Sequence, residues 1–235
     1  MRLDKYLAEA GIGSRSQVKN ILKKGQIAVN GQITKRPEEK VDPEKDQIFF
    51  QGEKIFYQEN LYYLLNKPSG VITATEDKKE KTVLDLFPPH LQKKLFPVGR
   101  LDKDTVGLLL LTDDGELAHR LLSPKKQVAK VYEALVDGRM DETDQLAFQK
   151  GLDIGDEKPA LPAVLKILKK GERSLVEITV TEGRFHQVKR MCRAVGKPVL
   201  ALKRISMGTL RLDEALAEGA YRPLTEEEIR RIKEC

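Results

Sequence analysis

The chain has 235 residues, 40% of them hydrophobic and 33% charged, and 42 Lys and Arg against 36 Asp and Glu give a formal net charge of +6. This is the composition of a soluble globular protein of one large or two smaller domains, and no apolar run approaches the ~20 residues that span a bilayer. Two cysteines, Cys192 and Cys235, without Cys-x-x-Cys spacing, offer neither a disulfide framework nor a metal cluster, and Met1-Arg2-Leu3-Asp4-Lys5 lacks the apolar core of a secretory signal, so a cytoplasmic setting is expected.

Leu3, Tyr6, Leu7, Ala8 and Ala10 predict a short amphipathic helix ended by Gly11. Ser14 and Gln17 have the spacing of a capping box, and the helix that follows buries Val18, Ile21 and Leu22 up to Gly25. Its other face carries Arg15, Lys19 and Lys23 at i, i+4 spacing, a basic stripe with no acidic partner. Ile27-Ala28-Val29, Asn30-Gly31 and Ile33-Thr34 read as a hairpin, and Ile48-Phe49-Phe50 as a further strand. The charged stretch from Pro37 to Asp46 is expected to be a loop. These elements place a first domain at 1–50, a linker at 51–60 and a second domain at 61–235.

In the second domain, Leu61-Tyr62-Tyr63-Leu64-Leu65 predicts a buried strand that leads into Asn66-Lys67-Pro68-Ser69-Gly70 and then Val71-Ile72-Thr73. Lys67 is either a surface cation or a phosphate contact. Residues 75–81 are charged and aperiodic, a mobile loop. A short helix over 83–87 ends at Pro88-Pro89, and Phe96-Pro97-Val98 feeds the stretch Gly99-Arg100-Leu101-Asp102-Lys103-Asp104-Thr105. Val106-Gly107 and four consecutive leucines follow, a strand buried on both faces and therefore a rigid base for the loop before it. On spacing alone, Arg100, Asp102 and Asp104 make a salt-bridged turn.

Asp113 or Asp114 caps a helix expected to bury Leu117, Leu121 and Leu122, with His119 at its surface. Lys130 to Val136 alternates like a strand and carries Tyr132, whose plain reading is packing. A helix over 141–151 offers Leu146 and Phe148 to the core. Residues 163–169 and 174–181 read as an antiparallel pair joined at Lys170-Gly171-Glu172. Glu182-Gly183-Arg184-Phe185-His186-Gln187-Val188-Lys189-Arg190-Met191 turns into a helix ended by Gly196, and Thr225-Glu226-Glu227-Glu228 caps a final helix. Charge is concentrated in two zones: residues 1–36 carry eight Lys and Arg against two acids, and residues 183–211 carry eight and no acid. Two such zones suit contact with one polyanion.

The run from Gly99 to Thr112 resembles the active-site motif of the pseudouridine synthases, in their RsuA branch. Lys130-x-Tyr132 resembles that family's second motif and Gly183 to Met191 its third. Asn66-Lys67-Pro68-x-Gly70 is similar to the start of its catalytic domain, and 202–208 and 219–224 follow its closing pattern. Residues 1–50, through Arg2-Leu3-Asp4-Lys5-Tyr6-Leu7, Ser14-Arg15-Ser16 and Gly25 to Gly31, resemble the small RNA-binding domain named after a ribosomal small-subunit protein. The resemblance covers nearly the whole chain.

It implies an α+β protein: a helix-hairpin RNA-binding domain, then a catalytic domain on a mixed, mainly antiparallel sheet flanked by helices. It implies an isomerase that breaks the N-glycosidic bond of a uridine in ribosomal RNA and rejoins the sugar to carbon 5 of the base, after flipping the base into a pocket. Asp102 is then the catalytic carboxylate, Lys189 the cation that favours its ionised form, Tyr132 a flat surface for uracil, and Arg100 an aid to base flipping. RNA contacts fall to Arg2, Ser14, Arg15, Lys19, Lys23, Arg184, His186, Gln187, Arg190, Lys203 and Arg204. The sequence Phe185 to Lys189 looks more like the small-subunit branch of the family than the large-subunit branches. No metal and no organic cofactor is required for an isomerisation without redox change. The partner is ribosomal RNA or a ribosomal assembly intermediate, with no membrane, and the chain is expected to act as a monomer. Three other readings remain: a non-catalytic RNA-binding assembly factor, a hydrolase using Asp102 and Asp104 as a pair, and, least favoured, a nuclease.

Overall fold

The structure, a computed structural model, describes every residue except Glu44, Phe56, Gln58 and Glu59, and the chain divides into two compact units, Met1–Asn60 and Leu61–Cys235. In the first, α1 (Leu3–Glu9) and α2 (Arg15–Lys23) are followed by β1 (Ile27–Val29), β2 (Gln32–Thr34), β3 (Ile48–Phe50) and β4 (Glu53–Ile55). The four strands form an antiparallel sheet in the order β2-β1-β3-β4. The helices bury Leu3, Leu7, Val18 and Leu22 against Ile27 and Ile48. The Ser14 hydroxyl accepts from Gln17 N while the Gln17 side chain accepts from Ser14 N, which closes the expected capping box.

The segment read as a linker differs from that reading in its first half, where β4 pairs with β3. Gln51 and Gly52 both have positive φ, +52° and +87°, the backbone of a two-residue hairpin turn. Glutamine is not a residue that announces such a turn, so the hairpin is hard to see in the sequence. The Tyr6 hydroxyl donates to Ile55 O at 3.0 Å and ties α1 to β4. The later residues of that segment fall partly outside the described ones.

In the second unit, the strands are β5 (Tyr62–Lys67), β6 (Phe96–Pro97), β7 (Val106–Thr112), β8 (Lys130–Asp137), β9 (Val164–Lys169), β10 (Arg173–Val180), β11 (Val199–Met207), β12 (Leu210–Arg211) and β13 (Tyr221–Pro223). The helices are α3 (Pro89–Gln92), α4 (Gly115–Leu122), α5 (Glu142–Lys150), α6 (Gln187–Ala194) and α7 (Glu226–Lys233). Strand order is β13-β5-β7-β11-β8-β10-β9, with β12 on β11 and β6 on β7. Every pair is antiparallel except β7 with β11, so the sheet is mixed and mainly antiparallel.

The leucine strand β7 lies between β5 and β11. Its side chains alternate between two cores: Leu108 and Leu110 join Leu117, Leu121 and Ile232, while Leu109 and Leu111 join Val71, Val83, Leu84 and Leu101. A third cluster packs Phe148, Val176, Ile178, Val188 and Met191 between β8, β10, α5 and α6. Two expected core residues are at the surface. Leu122 is 43% exposed, because Leu117 and Leu121 already take the buried stripe of α4. Leu146 is 54% exposed, two positions from the buried Phe148 and so on the far side of α5. Among the described residues, no helix is long and apolar enough to cross a membrane.

Candidate active site

The loop from Gly99 to Thr105 is held from below at several points before it enters β7. Leu101 is buried among Val71, Val83 and Leu84. The Thr73 hydroxyl donates to Leu101 O at 2.7 Å and accepts from Leu101 N at 3.1 Å. Thr105 N donates to Asp102 O at 3.1 Å, and Gly70 N to Lys103 O at 2.8 Å. Lys67 corrects the sequence reading: it is 0% exposed, neither a surface cation nor available to a phosphate. Its ammonium donates to Pro68 O at 3.0 Å, Lys103 O at 3.3 Å and Thr105 O at 3.0 Å. Three carbonyls of two loops thus converge on one buried cation. Burial pulls the Lys67 ammonium down to about 8, against the raising influence of Asp104 and Asp102. The pointer to Lys67 in the sequence is its place at the end of a strand that opens with the largely apolar run Tyr62-Tyr63-Leu64-Leu65; nothing points to Thr73.

Asp102 projects from this loop with its side chain 25% exposed. The Lys189 ammonium, from the first turns of α6, lies 3.1 Å from Asp102 Oδ2 and 2.5 Å from Asp104 Oδ1. Partial burial alone would lower the Lys189 pKa, but the hydrogen bonds to Asp104 and Asp102 outweigh it and leave the group above its ordinary value. The same contact holds the Asp104 carboxyl below the usual carboxylate range, partial burial opposing. Asp104 is 71% exposed, so water screens its half of the bridge more than that of Asp102. His186 Nε2 stands 3.5 Å from Asp102 Oδ1, and its ring stacks on Phe185 with centroids 3.8 Å apart. His186 is in the left-handed region (φ +50°), which turns the chain sharply into α6.

Asp102 opens into a cavity of about 690 Å³, within the range of small-ligand sites. Tyr132 of β8, Arg100, Leu122, Phe185 and Arg204 line it with Ile72 and Lys130. The structure therefore brings Asp102, Tyr132, Lys189, His186 and Arg100 together. Phe185, 75% exposed at this cavity, and Leu122 are apolar members that the sequence reading left out.

Several residues expected at the RNA are engaged elsewhere. The Arg184 guanidinium donates to Glu182 at 3.0 Å, Lys158 O at 2.6 Å and Pro159 O at 3.0 Å. Arg190 donates to Asp156 at 2.7 Å and Ile154 O at 3.0 Å. Gln187 is 5% exposed and bonds Glu182 Oε1 and Arg184 N. Arg204 is 1% exposed, and Lys203 beside it is half-buried. In the first unit, Arg2 pairs with Asp4 at 2.9 Å and Ser14 caps α2, whereas Arg15, Lys19 and Lys23 are exposed along one helix. Cys192 is buried, its thiol pushed up to about 12 by burial, which suits packing and not nucleophilic attack. Among the described residues, no three His, Cys, Asp or Glu side chains group so as to hold a metal ion.

Residues 61–194 match the family model described as RNA pseudouridylate synthase, and residues 1–48 match the S4 domain model. An uncharacterized RNA pseudouridine synthase of Bacillus subtilis is 46% identical over 100% of this chain and 99% of its own. The ribosomal small subunit pseudouridine synthase A of Haemophilus influenzae is 40% identical over 99% of each chain. The ribosomal large subunit pseudouridine synthase B of Bacillus subtilis is 39% identical, covering 99% of this chain and 95% of that one. A crystal structure of a pseudouridylate synthase superposes with a TM-score of 0.70 at 39% identity over 99% of both chains.

Proposed function

The chain belongs to the RNA pseudouridylate synthase family, and from that premise we propose that it isomerises a uridine of small-subunit ribosomal RNA with Asp102 as the reacting carboxylate. The observation that carries the reading is the 3.1 Å contact of Lys189 with Asp102 at a cavity also lined by Tyr132. A stacked uridine is out of reach, so the base is first flipped into the cavity at a cost of a few kcal/mol. Arg100, exposed at the rim, fills the vacated space or holds the neighbouring phosphate. Asp102 then attacks the sugar or removes a sugar proton; in either route the carboxylate reacts from a position held by the Lys189 ammonium 3.1 Å away. The Tyr132 ring supports the base while it turns.

Specificity for the small subunit is supported by the sequence Phe185 to Lys189 and by the small-subunit relatives. The large-subunit relative of similar identity favours a second reading, the same chemistry on large-subunit RNA. The enzyme acts as a cytoplasmic monomer on ribosomal RNA or an assembly intermediate, with the exposed Arg15, Lys19 and Lys23 contributing to RNA affinity. Ribosomal RNA labelled with tritium at carbon 5 of uridine tests the chemistry: isomerisation releases tritium without free uracil. Free uracil would indicate a hydrolase, and unchanged RNA a binding protein. Mapping modified sites in ribosomal RNA from cells lacking the protein then separates the two subunits.

A further inference from the structure

The cavity has a wall that the mechanism above leaves unused. Arg204 of β11 stands directly opposite Tyr132 of β8, so the two side chains leave the sheet on the same face. Lys130, two residues before Tyr132, shares that face. Both cations line the cavity that Asp102 opens into, and both are buried, Arg204 at 1% and Lys130 at 7% exposure. Neither has a carboxylate partner among the described residues. Lys130 Nζ donates to Val128 O at 3.0 Å and Arg204 Nε to Leu108 O at 2.8 Å. The terminal nitrogen Nη2 of Arg204 is buried and has no acceptor. Buried charges are ordinarily paired, and buried donors ordinarily bonded. An unpartnered guanidinium N–H beside a substrate cavity is a donor in place before its acceptor arrives.

The backbone is arranged to keep it there. Gly107 of β7 faces Arg204 across the parallel seam with φ +102°, and a Cβ at Gly107 would lie 2.3 Å from Arg204 O and 2.9 Å from Arg204 N. Only glycine lets the two strands come this close. Just past Arg204, the register of β11 against β8 shifts, a bulge of the kind that re-aims side chains beside sites. The bond from Nε to Leu108 O then fixes the plane of the guanidinium.

The reaction supplies the missing acceptor. In either route the bond from carbon 1′ to N1 breaks heterolytically, and its electron pair leaves on uracil, an anion spread over N1, O2 and O4. Carbon 1′ ends either bonded to the Asp102 carboxylate or, after loss of a carbon 2′ proton, in a sugar double bond. The pair is returned when carbon 5 of the turned base bonds carbon 1′, as the bond to Asp102 breaks or as carbon 2′ takes back its proton, and the carbon 5 proton then departs to the freed carboxylate or to water. Lys189 is committed to Asp102 and Asp104 and does not meet this charge.

We propose that Arg204 is a catalytic residue whose free Nη2–H donates to a carbonyl oxygen of the departing uracil anion, with Lys130 raising the positive potential behind it. The proposal rests on the isomerase reading above. It is tested by single-turnover rates of carbon 1′–N1 cleavage, read as loss of the parent nucleoside after digestion, on one RNA carrying uridine and on the same RNA carrying 5-fluorouridine. The more acidic base of 5-fluorouridine leaves as a more stable anion, and its fluorine, in place of the carbon 5 proton, takes no part in that step. Arg204→Gln is expected to slow uridine turnover about 100-fold with RNA affinity retained, and 5-fluorouridine turnover only on the order of tenfold. Both rates come from one preparation, so their ratio does not depend on the fraction folded. Arg204→Lys, which keeps a charge, is expected to fall between the variant and wild type. Equal losses on the two substrates, no loss, or failure of both variants to melt cooperatively overturns the proposal. Tritium release by the wild-type protein is run alongside. If wild type releases none, the isomerase reading itself falls; if it does and the losses are equal, only the role of Arg204 falls.

Discussion

Lys189 on α6 places its ammonium 3.1 Å from Asp102 Oδ2, across a site whose two halves come from distant parts of the chain. The two groups are brought together by the sheet. Asp102 sits on the loop that enters β7, and α6 follows β10 on the far side of β11 and β8. Asp102→Asn keeps the size of the side chain and removes its charge. The expected outcome is RNA affinity within a few-fold of wild type and loss of tritium release by at least ~10³-fold. Filter binding and tritium release on the same preparation check it; residual turnover near wild type would show that Asp102 is not the reacting group.

Lys67 is expected to act on the site without touching substrate. Lys67→Met removes the donor from three carbonyls and should destabilise the protein by roughly 2–4 kcal/mol. It should also lower kcat more than KM, because the loop bearing Asp102 loses its clamp. The pH dependence has a definite sign. The folded chain holds the Lys67 proton with a pKa of about 8 against 10.5 ordinarily, so the unfolded chain binds more protons between those values. The stability withheld at neutral pH is regained as pH rises through that window. The melting temperature of wild type should therefore gain on that of Lys67→Met between about pH 7.5 and 10; a constant or shrinking gap would contradict the assignment.

These two residues mark the limit of what the sequence makes legible. The leucine strand is readable because alternate positions feed two cores, and the caps at Ser14 and Thr225 are readable because three-residue spacing fixes both bonds of the box. The Asp102 loop is legible as a motif. Burial of Lys67 is not, since its acceptors on Lys103 and Thr105 lie far along the chain. The basic zone around α6 is legible as charge, but its neutralisation by Asp156 and Glu182 depends on how a loop folds back. Strand β4 is not legible, because Gln51 adopts a backbone that glutamine does not advertise.

The seam between β7 and β11 gives a stability prediction. Gly107→Ala must place a methyl 2.3 Å from Arg204 O on a backbone with φ +102°. Strain and overpacking together should cost about 3 kcal/mol or more, read as a lower urea midpoint. Gly70→Ala is the comparison: its φ is also positive, but nothing lies within 4 Å of an added Cβ. It should cost about 1 kcal/mol, from backbone strain alone. Equal effects at the two sites would mean that close approach of the strands is not what glycine provides at 107.

The two basic zones should behave differently toward RNA. Each phosphate contact adds about −0.7 to −0.9 to the slope of log affinity against log salt, depending on whether the RNA is single- or double-stranded. Arg15, Lys19 and Lys23 are exposed, and no ion pair is drawn to them among the described residues. Replacing all three with Gln should flatten the slope by about 2 while leaving the melting temperature nearly unchanged. Arg184 is already bonded to Glu182 and two backbone carbonyls. Arg184→Lys loses the planar fork that makes those bonds, so it should lower the melting temperature and leave the salt slope unchanged. A flattened slope for Arg184→Lys, with full thermal stability, would return that arginine to the RNA-binding surface and remove it from the support of α6.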